Sequence, residues 1–91
     1  MRKRAKIDSN QTAIVEALRK RGWLVLSLAP MGGGVPDLLI AKPYRYGHPD
    51  FQPVLIEVKT PKGKLTPDQD AFIEQGWPVT VIRSVDEALA L

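Results

Sequence analysis

The chain of 91 residues has no cysteine, which argues against a disulfide-stapled secreted scaffold and against the thiolate zinc modules that hold many small domains together. Its one histidine, His48, sits in a proline-rich stretch with no metal-ligand spacing around it and reads as a surface residue. No apolar run approaches the roughly 18–20 residues of a membrane span. The start, Met1-Arg2-Lys3-Arg4, is not followed by the apolar stretch of a secretory signal, so the expected location is the cytosol, with no membrane partner. Internal repeats and low-complexity segments are absent. Gly32-Gly33-Gly34 is not a phosphate loop, because no Gly-Lys-Ser/Thr and no immediate helix follow it; it reads as a turn.

What is present fits one small globular domain, with an apolar fraction of 44% and a charged fraction of 25%. A domain of this size buries roughly 60–65% of the surface its unfolded chain exposes, enough for one core. The net charge is only +3, but Arg2, Lys3, Arg4 and Lys6 crowd the start and Arg19-Lys20-Arg21 closes the first expected helix. Such clusters attract polyanions. Equally, they suit a solvated tail and cations placed against a helix C-terminal dipole.

Residues 1–7 read as a basic flexible tail and 8–91 as the domain. The first helix should begin near Asp8, an N-cap with Gln11 three residues on, and stop at Gly22, with Ala13, Ile14, Ala17 and Leu18 inward. Strands follow at Trp23–Leu28, Pro36–Ala41 and Val54–Lys59, the last two joined by a hairpin loop over Lys42–Pro53. In that loop Tyr44, Arg45, Tyr46 and His48 form a possible base-stacking and phosphate-gripping set, with Tyr44 and Tyr46 as simple hairpin anchors the alternative. Thr66-Pro67-Asp68-Gln69 combines a cap, a first-turn proline and a capping-box glutamine, opening a helix to about Gln75 that Gly76 ends. Pro78–Ile82 reads as a fourth strand, and Ser84-Val85-Asp86-Glu87 as a capping box opening a final helix. Trp23 and Trp77, each after a helix-stopping glycine, are expected in the core.

The chemistry lies in Val54-Leu55-Ile56-Glu57-Val58-Lys59. A strand period of two puts Glu57 and Lys59 on one face and Val54, Ile56 and Val58 on the other. Charges on so apolar a strand are costly to bury unless paired or metal-bound, although an ordinary surface ion pair would also explain them. Asp37 opens the neighbouring strand, after the glycine turn. Two carboxylates on adjacent strands make a hard-oxygen site suited to Mg²⁺ or Mn²⁺, with the Val58 backbone carbonyl a plausible further ligand. Lys59 beside it can orient or help deprotonate water, or stabilise charge on a phosphate.

Gly34-Val35-Pro36-Asp37, then Ile56-Glu57-Val58-Lys59, then Gln69 and the segment Lys62-Gly63-Lys64-Leu65-Thr66-Pro67, resemble the virus-type replication-repair nuclease (VRR-NUC) branch of the PD-(D/E)xK superfamily. The resemblance implies an α/β, restriction-endonuclease-like αβββαβ core with a mixed four-stranded sheet flanked by helices. It further implies Asp37 and Glu57 as metal ligands, Lys59 as the catalytic lysine, Gln69 as an active-site residue and Glu16 as the first-helix acid and a possible ligand. Gln69 is equally the capping partner of Thr66, and Glu16 equally a solvated helix carboxylate. Arg2, Lys3, Arg4, Lys6, Arg45, Lys62 and Lys64 are the candidate DNA contacts. The function expected is metal-dependent cleavage of branched DNA by a homodimer resembling a Holliday-junction resolvase, in a bacterial or phage-infected cytosol. Alternatives are a flap or single-strand nuclease, or a non-catalytic nucleic-acid-binding module that keeps the fold. Val79, Val81, Ile82, Leu89 and Leu91 are either core or dimer interface.

Overall fold

A computed structural model describes residues 10–44 and 52–91. The elements are α1 (Gln11–Lys20), β1 (Leu24–Ser27), a 3₁₀ turn (Ala29–Met31), β2 (Leu38–Ala41), β3 (Val54–Val58), α2 (Pro67–Glu74), β4 (Val79–Ile82) and α3 (Val85–Leu89). The strands form one mixed sheet in the order β1-β2-β3-β4. Neighbours are antiparallel except β3 and β4, which run parallel and so need the crossover that α2 supplies.

The alternation along the strands decides which face is filled. Leu38 and Ile40 of β2, Ile56 and Val58 of β3, and Ile82 of β4 are buried with Ile14 and Leu18 of α1 and Ala88 of α3 in a single core. Helices α1 and α3 therefore cover one sheet face. The opposite face is covered far less, for α2 buries no residue, and Leu24 and Leu26 of the edge strand β1 remain 56% and 58% exposed.

Several expectations shift. Helix α1 starts later than the Asp8 reading requires: its flanking residue is Asn10, whose side chain makes no cap bond, and Asp8 lies outside the described residues. Ala13 is exposed, and its place in the buried stripe is taken by Gln11. At the other end Gly22 supplies the left-handed stop (φ 88°), and Lys42 Nζ donates to the Arg21 carbonyl at 2.6 Å while lying 4.4 Å over the Trp23 ring. Trp23 packs against the core, but Trp77 does not; it is 51% exposed and stacks on Phe72 with ring centroids 5.4 Å apart. The final helix has half of its expected capping box. Ser84 Oγ accepts from Glu87 N–H, but the Glu87 carboxylate reaches back to Arg83 N–H rather than to Ser84. Of the hairpin set, Tyr44 is exposed, whereas Arg45, Tyr46 and His48 lie outside the described residues.

Gly34 ties the two halves of the fold together. Its φ is +84°, and a Cβ there would collide with the backbone carbonyl of Asp68 in the first turn of α2. Only glycine lets the turn before β2 approach α2 this closely. Gly34→Ala combines left-handed strain with an overpacked contact between two backbones, for a cost of about 2–4 kcal/mol. The expected result is a melting temperature lower by roughly 10 °C or more. Gly33→Ala, where the same Cβ meets nothing, should lose less in the same calorimetric comparison.

Candidate active site

Asp37 is held from both sides just before β2. Its carbonyl accepts from Leu28 N–H at 2.8 Å, and its carboxylate Oδ2 accepts from Val58 N–H, also at 2.8 Å. The β2–β3 pairing ends at Leu38 opposite Ile56, and continued one step it would set Asp37 across from Glu57. The Asp37 carboxylate is turned toward β3, to the N–H of the residue that follows Glu57. Lys59, two residues along from Glu57, follows on the same side and is half-buried.

One step further still, the register sets Pro36 opposite Val58. Proline has no amide hydrogen, so the ladder bond that the Val58 carbonyl would accept there is not made. The Val58 N–H, meanwhile, has turned to the Asp37 side chain. Pro36 thus leaves one carbonyl of β3 without that donor, while the adjacent aspartate takes the N–H of the same residue.

Glu57 is only 2% exposed, an unusual position for a carboxylate in a small domain. Its Oε2 accepts from Gln69 Nε2 at 3.3 Å. Gln69 is the capping partner of Thr66 and at the same time touches Glu57. Its Oε1 accepts from Thr66 N–H and its own N–H donates to Thr66 Oγ1, completing the capping box, while its amide nitrogen reaches Glu57. The capping box locks this rotamer, so the start of α2 presents a fixed donor to the acid.

The segment after Lys59 is also fixed. Arg83 Nη1 donates to the carbonyls of Thr60 and Gly63, shaping a loop on which Lys62 and Lys64 are exposed. The Lys59 N–H donates to the Ile82 carbonyl at 3.0 Å, and its carbonyl accepts from Asn10 Nδ2 at 3.0 Å. Asn10 and Arg83 were not singled out from the sequence; an asparagine two residues beyond the favoured cap was the available signal for the first.

Glu16 does not join this cluster. It is exposed and lines a groove of about 450 Å³ between α1 and α3 with Ala13, Ala17, Lys20, Arg21, Val85 and Leu89. Among the described residues no group of three or more His, Cys, Asp or Glu side chains is placed to hold a metal. Arg2, Lys3, Arg4, Lys6 and Arg45 lie outside the described residues.

Asp37, Glu57 and the Val58 carbonyl offer oxygen donors of the kind a hard divalent cation prefers. No helix is long and apolar enough to cross a membrane among the described residues. Among known proteins, no curated protein matches the chain. The family model described as the VRR-NUC domain matches residues 3–86 of the 91, running from the basic start into α3. With that span and a mixed four-stranded α/β fold to match, the chain belongs to the VRR-NUC family of nuclease domains.

Proposed function

We propose that this chain is a divalent-metal-dependent endodeoxyribonuclease in which Asp37, Glu57 and the Val58 carbonyl hold Mg²⁺ or Mn²⁺ and Lys59 is the catalytic lysine. The observation that carries this reading is the Asp37 carboxylate bonded to the N–H of Val58, the residue next to the buried acid Glu57. Acids at a nucleic-acid-binding surface repel phosphate, a cost that a bound cation would offset. When bound, the metal supplies Lewis acidity and an activated water. The ammonium of Lys59 donates to the attacking water or to a non-bridging phosphoryl oxygen, where negative charge grows in the transition state. Gln69 keeps Glu57 aimed into the site. Lys62 and Lys64 offer backbone contacts, as do Arg2, Lys3, Arg4, Lys6 and Arg45 by their charge. Glu16, on the far groove, is a solvated helix acid in this reading rather than a ligand.

Pro36→Ala restores an amide hydrogen opposite Val58. Weaker Mn²⁺ binding is expected, by about 1 kcal/mol or roughly fivefold, in a calorimetric titration of the folded variant. Unchanged affinity would remove the Val58 carbonyl from the ligand set.

The substrate proposed is branched DNA, cut by a homodimer. Two symmetric incisions need two sites, and a C₂ pair supplies them from one gene. Ile82 belongs to the core, leaving Leu89 and Leu91 as the exposed part of the interface suspected at the C-terminal end. The larger exposed apolar side chains are Leu24 and Leu26 on β1, with Met31 and Trp77. These support a dimer that pairs at the β1 edge of the sheet, away from the carboxylates. Light scattering at assay concentration should give twice the 10.1 kDa chain mass, and a four-way junction should be cut faster than its matched linear duplex. A monomer that prefers flaps or single strands would overturn both parts and leave the metal site standing.

A further inference from the structure

We infer that Asn10 is a positioning residue for Lys59, an inference that rests on Lys59 being the catalytic lysine. Asparagine is among the favoured residues at a helix start, where its side-chain oxygen ordinarily takes an orphan N–H of the first turn. Asn10 stands at that place before α1 but makes no such bond, and its backbone is helical (φ −92°, ψ −1°) rather than extended. Its side chain turns instead to the sheet. Nδ2 donates to the carbonyl of Lys59 at 3.0 Å and to that of Arg83 at 3.1 Å, residues 49 and 73 positions away. Its Oδ1 is buried with no hydrogen-bond partner among the described residues. A flipped amide would set that oxygen against two carbonyls, so both hydrogens of Nδ2 are committed to the strand ends.

The consequence is a brace across the exits of β3 and β4. Lys59 has already left the ladder of β3, yet its N–H is held by Ile82 and its carbonyl by Asn10. With both flanking peptide groups fixed, the direction in which the ammonium stem leaves the backbone is set. Arg83, held by the other hydrogen of the same amide, fastens the following loop through the carbonyls of Thr60 and Gly63. One side chain therefore couples the start of α1 to the lysine and to the loop bearing Lys62 and Lys64.

The test compares Asn10→Asp, Asn10→Ala and Ile14→Val with the wild type and with Lys59→Met, using a junction oligonucleotide and saturating Mg²⁺. Aspartate caps a helix start as well as asparagine does but presents oxygen where Nδ2 donated. A mere capping role predicts wild-type turnover from Asn10→Asp. The brace predicts a single-turnover rate lower by about tenfold to a hundredfold in both Asn10 variants, with DNA affinity within about twofold of wild type. Ile14→Val, a core change on the same helix, supplies the comparison for a loss of stability alone and should keep its rate. A readout independent of cleavage accompanies this: amide exchange should speed up at residues 59–65 in Asn10→Asp while β1 and β2 keep their protection. Wild-type turnover and unchanged exchange in Asn10→Asp would overturn the inference. If Lys59→Met itself cuts at the wild-type rate, the assignment of Lys59 fails instead, and the exchange result then tells whether the brace exists apart from any catalytic role.

Discussion

Asp37→Asn and Glu57→Gln are each expected to lower metal-dependent cleavage by about a thousandfold while leaving the fold and DNA binding in place. Each change removes ligand charge without removing volume. The metal contributes several kcal/mol of transition-state stabilisation, and about 4 kcal/mol corresponds to three powers of ten. Two of the hydrogen bonds carry over: an asparagine oxygen still accepts from Val58 N–H, and a glutamine oxygen still accepts from Gln69. Stability gives a second signal. With Mn²⁺ added the wild type should gain in melting temperature and the variants should gain less, because a ligand stabilises the folded state by RT ln(1 + [L]/Kd) and only the wild type retains the affinity. Cleavage at the wild-type rate by both variants would show the site to be elsewhere.

Lys59→Met is the second large effect. Methionine keeps much of the aliphatic stem against the sheet but removes the ammonium. Loss of one preorganised donor to a developing oxyanion costs roughly 10²–10³ in turnover. Mn²⁺ affinity should change little or rise, since a positive charge beside the metal has gone. Turnover lost together with metal binding and folding would identify Lys59 as half of a structural ion pair with Glu57 rather than a catalytic group.

The elements of the fold were legible because local signals agreed with each other. The alternation in Val54–Lys59 named both faces of β3 correctly, and Thr66-Pro67-Asp68-Gln69 marked the start of α2 with its full capping box. The placement of Glu57 away from the core residues Ile56 and Val58 was legible for the same reason, since strand period is a local property. What stayed hidden depends on partners distant in sequence. Asn10 and Asp8 are equivalent as cap residues in a sequence, and only folding reveals that the amide of Asn10 spends both hydrogens on strand ends. Hydrophobicity put Trp77 in the core, yet α2 covers its sheet face so thinly that the indole finds only Phe72 to stack on. Ala13 and Gln11 exchanged roles because the apolar stripe fixes a helix face to within about one residue, and the rotation about that face is set by packing against α3. For Gln69 the capping role is the one the structure shows, and its two-ended amide leaves the nitrogen free to reach Glu57 as well.

The most direct measurement of the central claim is cleavage of a labelled four-way junction by the wild-type chain in Mg²⁺, in Mn²⁺ and in EDTA, with Glu57→Gln run in parallel. The account predicts strand scission with either metal, none in EDTA, and restoration when metal is returned in excess, with Glu57→Gln silent throughout. Scission that persists in EDTA, or that Glu57→Gln carries out as fast as the wild type, would contradict it.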